Sequence, residues 1–122
     1  MKIKINKEIR GDVTILSLSG NLLGGPVSYE RLPVEFKTII EGDVKKVVID
    51  LENVKRMNST GLGILMRCYM SLKRADGELK LVGLGDTLKG ILIMTKLNTI
   101  FTTHQTLEEA LNNFGSSRIR VG

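Results

Sequence analysis

The chain has no tryptophan, one cysteine, two prolines and few aromatic residues, and each shortage excludes something. Cys68, standing alone, cannot form an internal disulfide, which fits a reducing compartment. No apolar run approaches the roughly 18 residues that a membrane-crossing helix needs. The opening residues, Met1-Lys2-Ile3-Lys4-Ile5-Asn6, alternate polar and apolar and lack the apolar centre of a secretion signal. A cytoplasmic protein with no membrane contact is the expectation. The single histidine, His104, has no Cys, Asp or Glu cluster at metal-ligand spacing around it. It is expected to be structural or exposed, and no metal or cofactor is called for.

Charge of one sign is in modest excess: 18 Lys and Arg stand against 13 Asp and Glu, a net of +5. That balance invites a nucleic-acid reading. Lysines are spread from Lys2, Lys4 and Lys7 through Lys37, Lys45 and Lys46 to Lys73, Lys80, Lys89 and Lys96, without a dense run. Few rings stand among them for base stacking. A solvated, mildly basic surface with no direct nucleic-acid contact follows, and an acidic or nucleic-acid partner remains as a third reading.

What is present suits one compact domain: 122 residues, 42% of them hydrophobic, with Ile, Leu, Val and Met to fill the core. Ile3 to Ile9 and Val13 to Ser19 read as strands joined at Arg10-Gly11-Asp12. Gly20 to Pro26, with three glycines and a proline, reads as a loop. The helical pattern from Ser28 carries Pro33, which places the helix start near Pro33 and its end at Gly42-Asp43. Lys46 to Glu52 has a continuous apolar centre, the mark of a strand buried on both faces. A connection through Asn58 then leads to a helix from Ser59 to Ala75-Asp76-Gly77, with Gly77 as its cap.

Leu79 to Leu84 reads as a strand, Asp86 to Leu97 as a helix, Ile100 to Thr103 as a strand and Thr106 to Phe114 as a closing helix. The order predicts a single α/β domain over 1–114 with a tail over 115–122. Its mixed, mostly parallel sheet has about five strands, an antiparallel N-terminal edge and about four helices.

The densest stretch is Met57-Asn58-Ser59-Thr60-Gly61-Leu62-Gly63, at the junction of strand and helix. Sites in open α/β sheets lie beyond the carboxyl ends of strands, and a helix N-terminus favours an anionic group. Asn58 or Ser59 is then the helix cap, and capping alone, worth about 1 kcal/mol, is a sufficient structural reason for such residues. On a helical wheel Leu62, Leu65, Met66, Tyr69 and Leu72 form the core stripe. Gly63, Arg67, Met70 and Arg74 fall together beside Ser59. Met and Arg favour interfaces and a glycine admits a neighbouring backbone, although an ordinary arginine face with one methionine reads equally well.

Catalytic patterns are missing. Ser59 lacks the Gly-x-Ser-x-Gly elbow, and Gly83 and Gly85 are followed by Leu88 where a dinucleotide fingerprint needs a third glycine. Cys68, beside the core stripe, reads as a small buried residue. No enzymatic activity is expected.

Val48-Ile49-Asp50-Leu51, Asn58-Ser59-Thr60-Gly61-Leu62-Gly63-Ile64-Leu65 and Gly77-Glu78-Leu79-Lys80-Leu81-Val82 together resemble the STAS domains of bacterial anti-sigma factor antagonists. The likeness extends to Leu97-Asn98-Thr99-Ile100-Phe101 and Leu107-Glu108-Glu109-Ala110-Leu111. It implies partner switching. The unphosphorylated domain would bind an anti-sigma factor that is also a Ser/Thr kinase of the histidine-kinase-like ATPase fold, freeing the sigma factor and so regulating its transcription. Phosphorylation at Ser59, or as second choice Thr60, would release it, and a PP2C-type phosphatase would reverse this.

The implied partner-binding residues are Asn58, Ser59, Thr60, Gly63, Arg67 and Met70, with Asn21, Leu23 and Gly24 of the first loop close by. Two positions depart from the family pattern: Asn58 replaces the usual Asp, and Gly20-Asn21-Leu22-Leu23 replaces Gly-x-Leu-Asp. The alternative is a STAS-type scaffold or sensor that binds a partner, nucleotide or anion without phospho-switching. Homodimerisation stays open.

Overall fold

The computed structural model describes residues 4–22, 26–42 and 45–121. Strands β1 (Lys4–Arg10) and β2 (Val13–Leu22) form the antiparallel hairpin at one sheet edge. Helix α1 (Pro26–Glu41), strand β3 (Lys46–Met57), helix α2 (Ser59–Arg74) and strand β4 (Glu78–Val82) follow. Helix α3 (Asp86–Met94), a 3-10 turn at Leu97–Thr99, strand β5 (Thr102–His104) and helix α4 (Leu107–Val121) complete the order. The sheet runs β1-β2-β3-β4-β5, with every pair after the first parallel. This is the mixed α/β architecture the sequence predicts.

Strands added one after another through crossovers of one hand leave their helices on one face of the sheet. Accordingly Leu32, Phe36 and Ile39 of α1, Leu62, Leu65 and Leu72 of α2, and Leu88 and Leu92 of α3 share one core with Leu16, Val47, Ile49 and Leu81. On the opposite face α4 alone covers Val13, Ile15, Val48 and Val82 with Ala110 and Phe114. The continuous run Val47-Val48-Ile49 is therefore buried on both sides, as its pattern requires.

Several boundaries differ from the sequence reading. The expected loop at Gly20–Pro26 is strand as far as Leu22. Gly20 has φ +107 beside an irregularity in the β2–β3 register, a conformation that suits glycine. Helix α1 starts at Pro26 and carries Pro33 inside it, not at its start. An internal proline costs about 3 kcal/mol, whereas each fully buried large apolar side chain contributes roughly 1.5–3 kcal/mol. With Leu32, Phe36 and Ile39 all in the core, packing outweighs the interruption.

Strand β3 runs to Met57, so the connection expected between Glu52 and the helix is mostly strand. Helix α3 and β4 are shorter than expected and β5 is shifted to Thr102–His104. Asp76, with φ +63, is the left-handed residue that ends α2, so Gly77 is not. Helix α4 continues to Val121 through most of the segment read as a tail.

Candidate functional site

The β2–β3 ribbon builds the platform of the site. Strand β4 pairs with β3 only over Lys46–Asp50, while β2 stays paired to the end, matching Asn21 with Arg56 and Leu22 with Met57. The ribbon thus projects past β4, and Asn58 stands at its tip, where its N–H donates to the Leu22 carbonyl at 3.4 Å.

Asn58 is the helix cap. Its Oδ1 accepts the N–H of Gly61 at 2.9 Å, and its carbonyl accepts the N–H of Leu62 at 2.9 Å. This settles which of two candidates caps α2, and it leaves Ser59 as the first helical residue. Ser59 and Thr60 are exposed, and the Ser59 hydroxyl forms no hydrogen bond among the described residues. Backbone N–H groups in a first turn precede any intrahelical acceptor, so this end of α2 presents donors and a positive dipole to an approaching anion.

The first turn sits hard against the ribbon. A Cβ built on Gly61 would overlap the Leu22 carbonyl oxygen and lie 2.7 Å from its carbon. A Cβ on Gly63 would meet nothing within 4 Å. The two glycines of the motif therefore differ in kind: Gly61 permits a close internal contact, and Gly63 leaves bare backbone on an exposed face.

Along that face Gly63, Arg67, Met70 and Arg74 are all exposed, Met70 at 47%. The wheel reading of an apolar residue between two arginines holds. Arg67 also interacts within the chain. Asn21 is half-buried on the ribbon beside Arg56 and lies near the junction, whereas Leu23 and Gly24 fall outside the described residues. The core side of α2 is broader than the stripe predicted, because Ile64 and Cys68 are buried in addition to Leu62, Leu65 and Leu72, while Met66 and Tyr69 are only partly so. Burial pushes the Cys68 thiol up to about 12, against a minor opposing effect of Arg67, so it stays protonated and inert.

Lys55 and Arg56, exposed on the ribbon just before Asn58, were not singled out by sequence reasoning. Their signal was local charge, which a chain-wide count dilutes. His104 is half-buried on β5 and pairs in register with Val82, not with the α2 junction.

Fold and site together define a small α/β domain whose exposed helix N-terminus is held on a strand ribbon. A family match, to the STAS domain, runs over residues 4–110, and the chain belongs to that family. It is 30% identical over 90 residues to the anti-sigma-B factor antagonist of Staphylococcus aureus strain NCTC 8325, covering 70% of this chain and 82% of that protein. With the anti-sigma-B factor antagonist of Listeria monocytogenes it shares 39% identity over 67 residues, 55% of this chain. That match spans 57% of the Listeria protein's length.

Among solved structures, an anti-sigma factor antagonist from Mycobacterium paratuberculosis superposes with a TM-score of 0.77 at 27% identity, covering 92% of this chain and 93% of that one. The antagonist SpoIIAA shares the fold at 20% identity. Its unphosphorylated form gives a TM-score of 0.66 over 96% of this chain and 98% of that one. The phosphorylated form from Bacillus gives 0.70 over 91% and 99%.

Proposed function

We propose that this protein is an anti-sigma factor antagonist working by partner switching. Unphosphorylated, it docks through Asn58, Ser59, Thr60, Gly63, Arg67 and Met70, with Asn21 alongside, on an anti-sigma factor that is itself a Ser/Thr kinase of the histidine-kinase-like ATPase fold. Docking frees the sigma factor for transcription. Phosphorylation of Ser59 ends the contact and a PP2C-type phosphatase restores it. The domain performs no chemistry of its own and acts in the cytoplasm.

One observation carries this reading: Asn58 does the capping, so Ser59 is exposed and dispensable to the helix. A phosphate adds about −1.5 to −2 charges and considerable bulk. At a helix N-terminus the fold tolerates that charge, worth about 0.3–1 kcal/mol in the favourable direction, while a docked partner does not. The family relatives named as antagonists support the general role.

Incubation with the partner kinase and ATP, read by intact mass, tests the switch. One phosphoryl group should appear on the wild type and none on Ser59→Ala. An unmodified wild type beside a kinase active on its own substrate overturns it. The observation favouring a second reading, constitutive binding without a switch, is the same Asn58: it caps as an Asp would, but places no negative charge beside the hydroxyl.

A further inference from the structure

The lysines and arginines are scattered along the chain, but their excess over the acidic residues is not. Of its 18 Lys and Arg, five lie between Asn53 and Ala75, namely Lys55, Arg56, Arg67, Lys73 and Arg74, and that segment holds no Asp or Glu. The other 13 are matched by the 13 acidic residues of the remaining chain, so the entire net charge of +5 resides on the β3 tip and α2. All five are exposed. Lys55, Arg56, Lys73 and Arg74 make no ion pair among the described residues.

We infer that this face docks on an acidic protein surface, one whose carboxylates surround an apolar residue that meets Met70 beside the bare backbone of Gly63. The inference rests on the docking reading of α2 and supplies the partner's chemistry. Three features favour a protein over a nucleic acid or a membrane. Arg67, Lys73 and Arg74 lie within one helical turn of Met70, whereas Lys55 and Arg56 precede the helix, so the cations do not form a continuous track. Gly63 has open space above it, which suits close packing of another backbone. The only aromatic ring on α2, Tyr69, is turned onto Phe101 in an edge-to-face contact at 5.3 Å and offers no stacking platform.

Complementary charge of this kind steers encounter and raises the association rate, with a steep dependence on salt. It also sharpens the switch. A phosphate at Ser59 would place negative charge within a cationic face and directly opposite the partner's carboxylates, so release follows from like-charge repulsion as well as bulk.

The test uses the unphosphorylated, isotope-labelled full chain and three defined probes: a Glu-rich peptide with one central leucine, a DNA duplex, and phosphatidylglycerol vesicles. The peptide should shift amides of the β3 tip and the exposed face of α2, saturably, and bind about tenfold more weakly when salt rises past the point where the Debye length falls below about 8 Å. A variant with Lys55, Arg56, Lys73 and Arg74 all changed to Gln should lose at least about tenfold in affinity. The control Lys7→Gln, Lys89→Gln, Lys96→Gln should lose little, with both variants keeping the wild-type circular dichroism.

Tighter binding of DNA or vesicles at the same face overturns the proposal, as does equal loss in both variants or shifts scattered over Lys4, Lys89 and Lys96. No kinase or ATP enters this titration. Its failure therefore leaves Ser59 phosphorylation standing, and failure of phosphorylation leaves the acidic-partner result standing.

Discussion

The carbonyl oxygen of Leu22 occupies the place where any residue other than glycine at position 61 would carry its Cβ. The same oxygen accepts the N–H of Asn58. One carbonyl at the end of β2 thus fastens the strand tip and sets how closely α2 can approach it. The direction in which Ser59 is presented depends on that contact.

Gly61→Ala should therefore destabilise the fold by at least about 1–3 kcal/mol, since the obstacle is backbone and cannot rotate away. Gly63→Ala should do the opposite and stabilise by up to about 1 kcal/mol through helix propensity, because its Cβ enters open space. Urea denaturation of both variants checks this pair. If the two shift stability alike, the assignment of distinct roles is wrong.

Replacing the cap, Asn58→Ala, should cost about 1 kcal/mol by removing the acceptor for the Gly61 N–H. Asn58→Asp keeps the cap and adds a charge at the positive end of the helix, a gain of about 0.3–1 kcal/mol at neutral pH that fades as the carboxylate protonates in acid. Thermal midpoints measured near neutrality and in acid distinguish the two effects.

Cys68 should not react with a disulfide-exchange reagent at mildly alkaline pH in the native state. The thiol is buried and burial raises it to about 12, well above the range where thiolate forms. Denaturation should release one full equivalent. Rapid labelling of the folded protein would contradict the close packing of α2 on its neighbours.

His104 predicts a pH dependence. Its pKa is held below 6.5 first by burial and then by the nearby Lys80 charge, with Glu109 opposing. Its buried Nε2 has no hydrogen-bond partner among the described residues. With the folded value depressed, the unfolded chain takes up the proton first as pH falls below 6.5. Stability present above that pH is lost on descending toward the folded value, and His104→Gln should flatten that part of the profile. A wild type that gains stability through this window would refute the assignment.

Much of this was legible beforehand because pattern and packing agree. The doubly buried Val47-Val48-Ile49, the amphipathic α2 and the exposed Gly63-Arg67-Met70-Arg74 face follow from periodicity alone. The end of β3 was not legible. Register irregularities at Ser17/Ser19 and Gly20/Asn21 space its inward residues Leu51, Val54 and Met57 three apart, which no period-two pattern reveals. Likewise Pro33 outweighs local propensity in a sequence reading, yet the buried residues around it hold the helix together. Clustering of the positive charge was visible in the letters but not in the total.

The central claim is that Ser59 controls docking by charge and bulk while the fold persists. Titration of the proposed partner, an anti-sigma factor kinase, with wild type and with Ser59→Asp, alongside their thermal midpoints, tests it most directly. The expected result is a loss of about tenfold or more in affinity, equivalent to at least about 1.4 kcal/mol, with a nearly unchanged midpoint. Undiminished affinity in Ser59→Asp, or a loss accompanied by a collapsed midpoint, would contradict it.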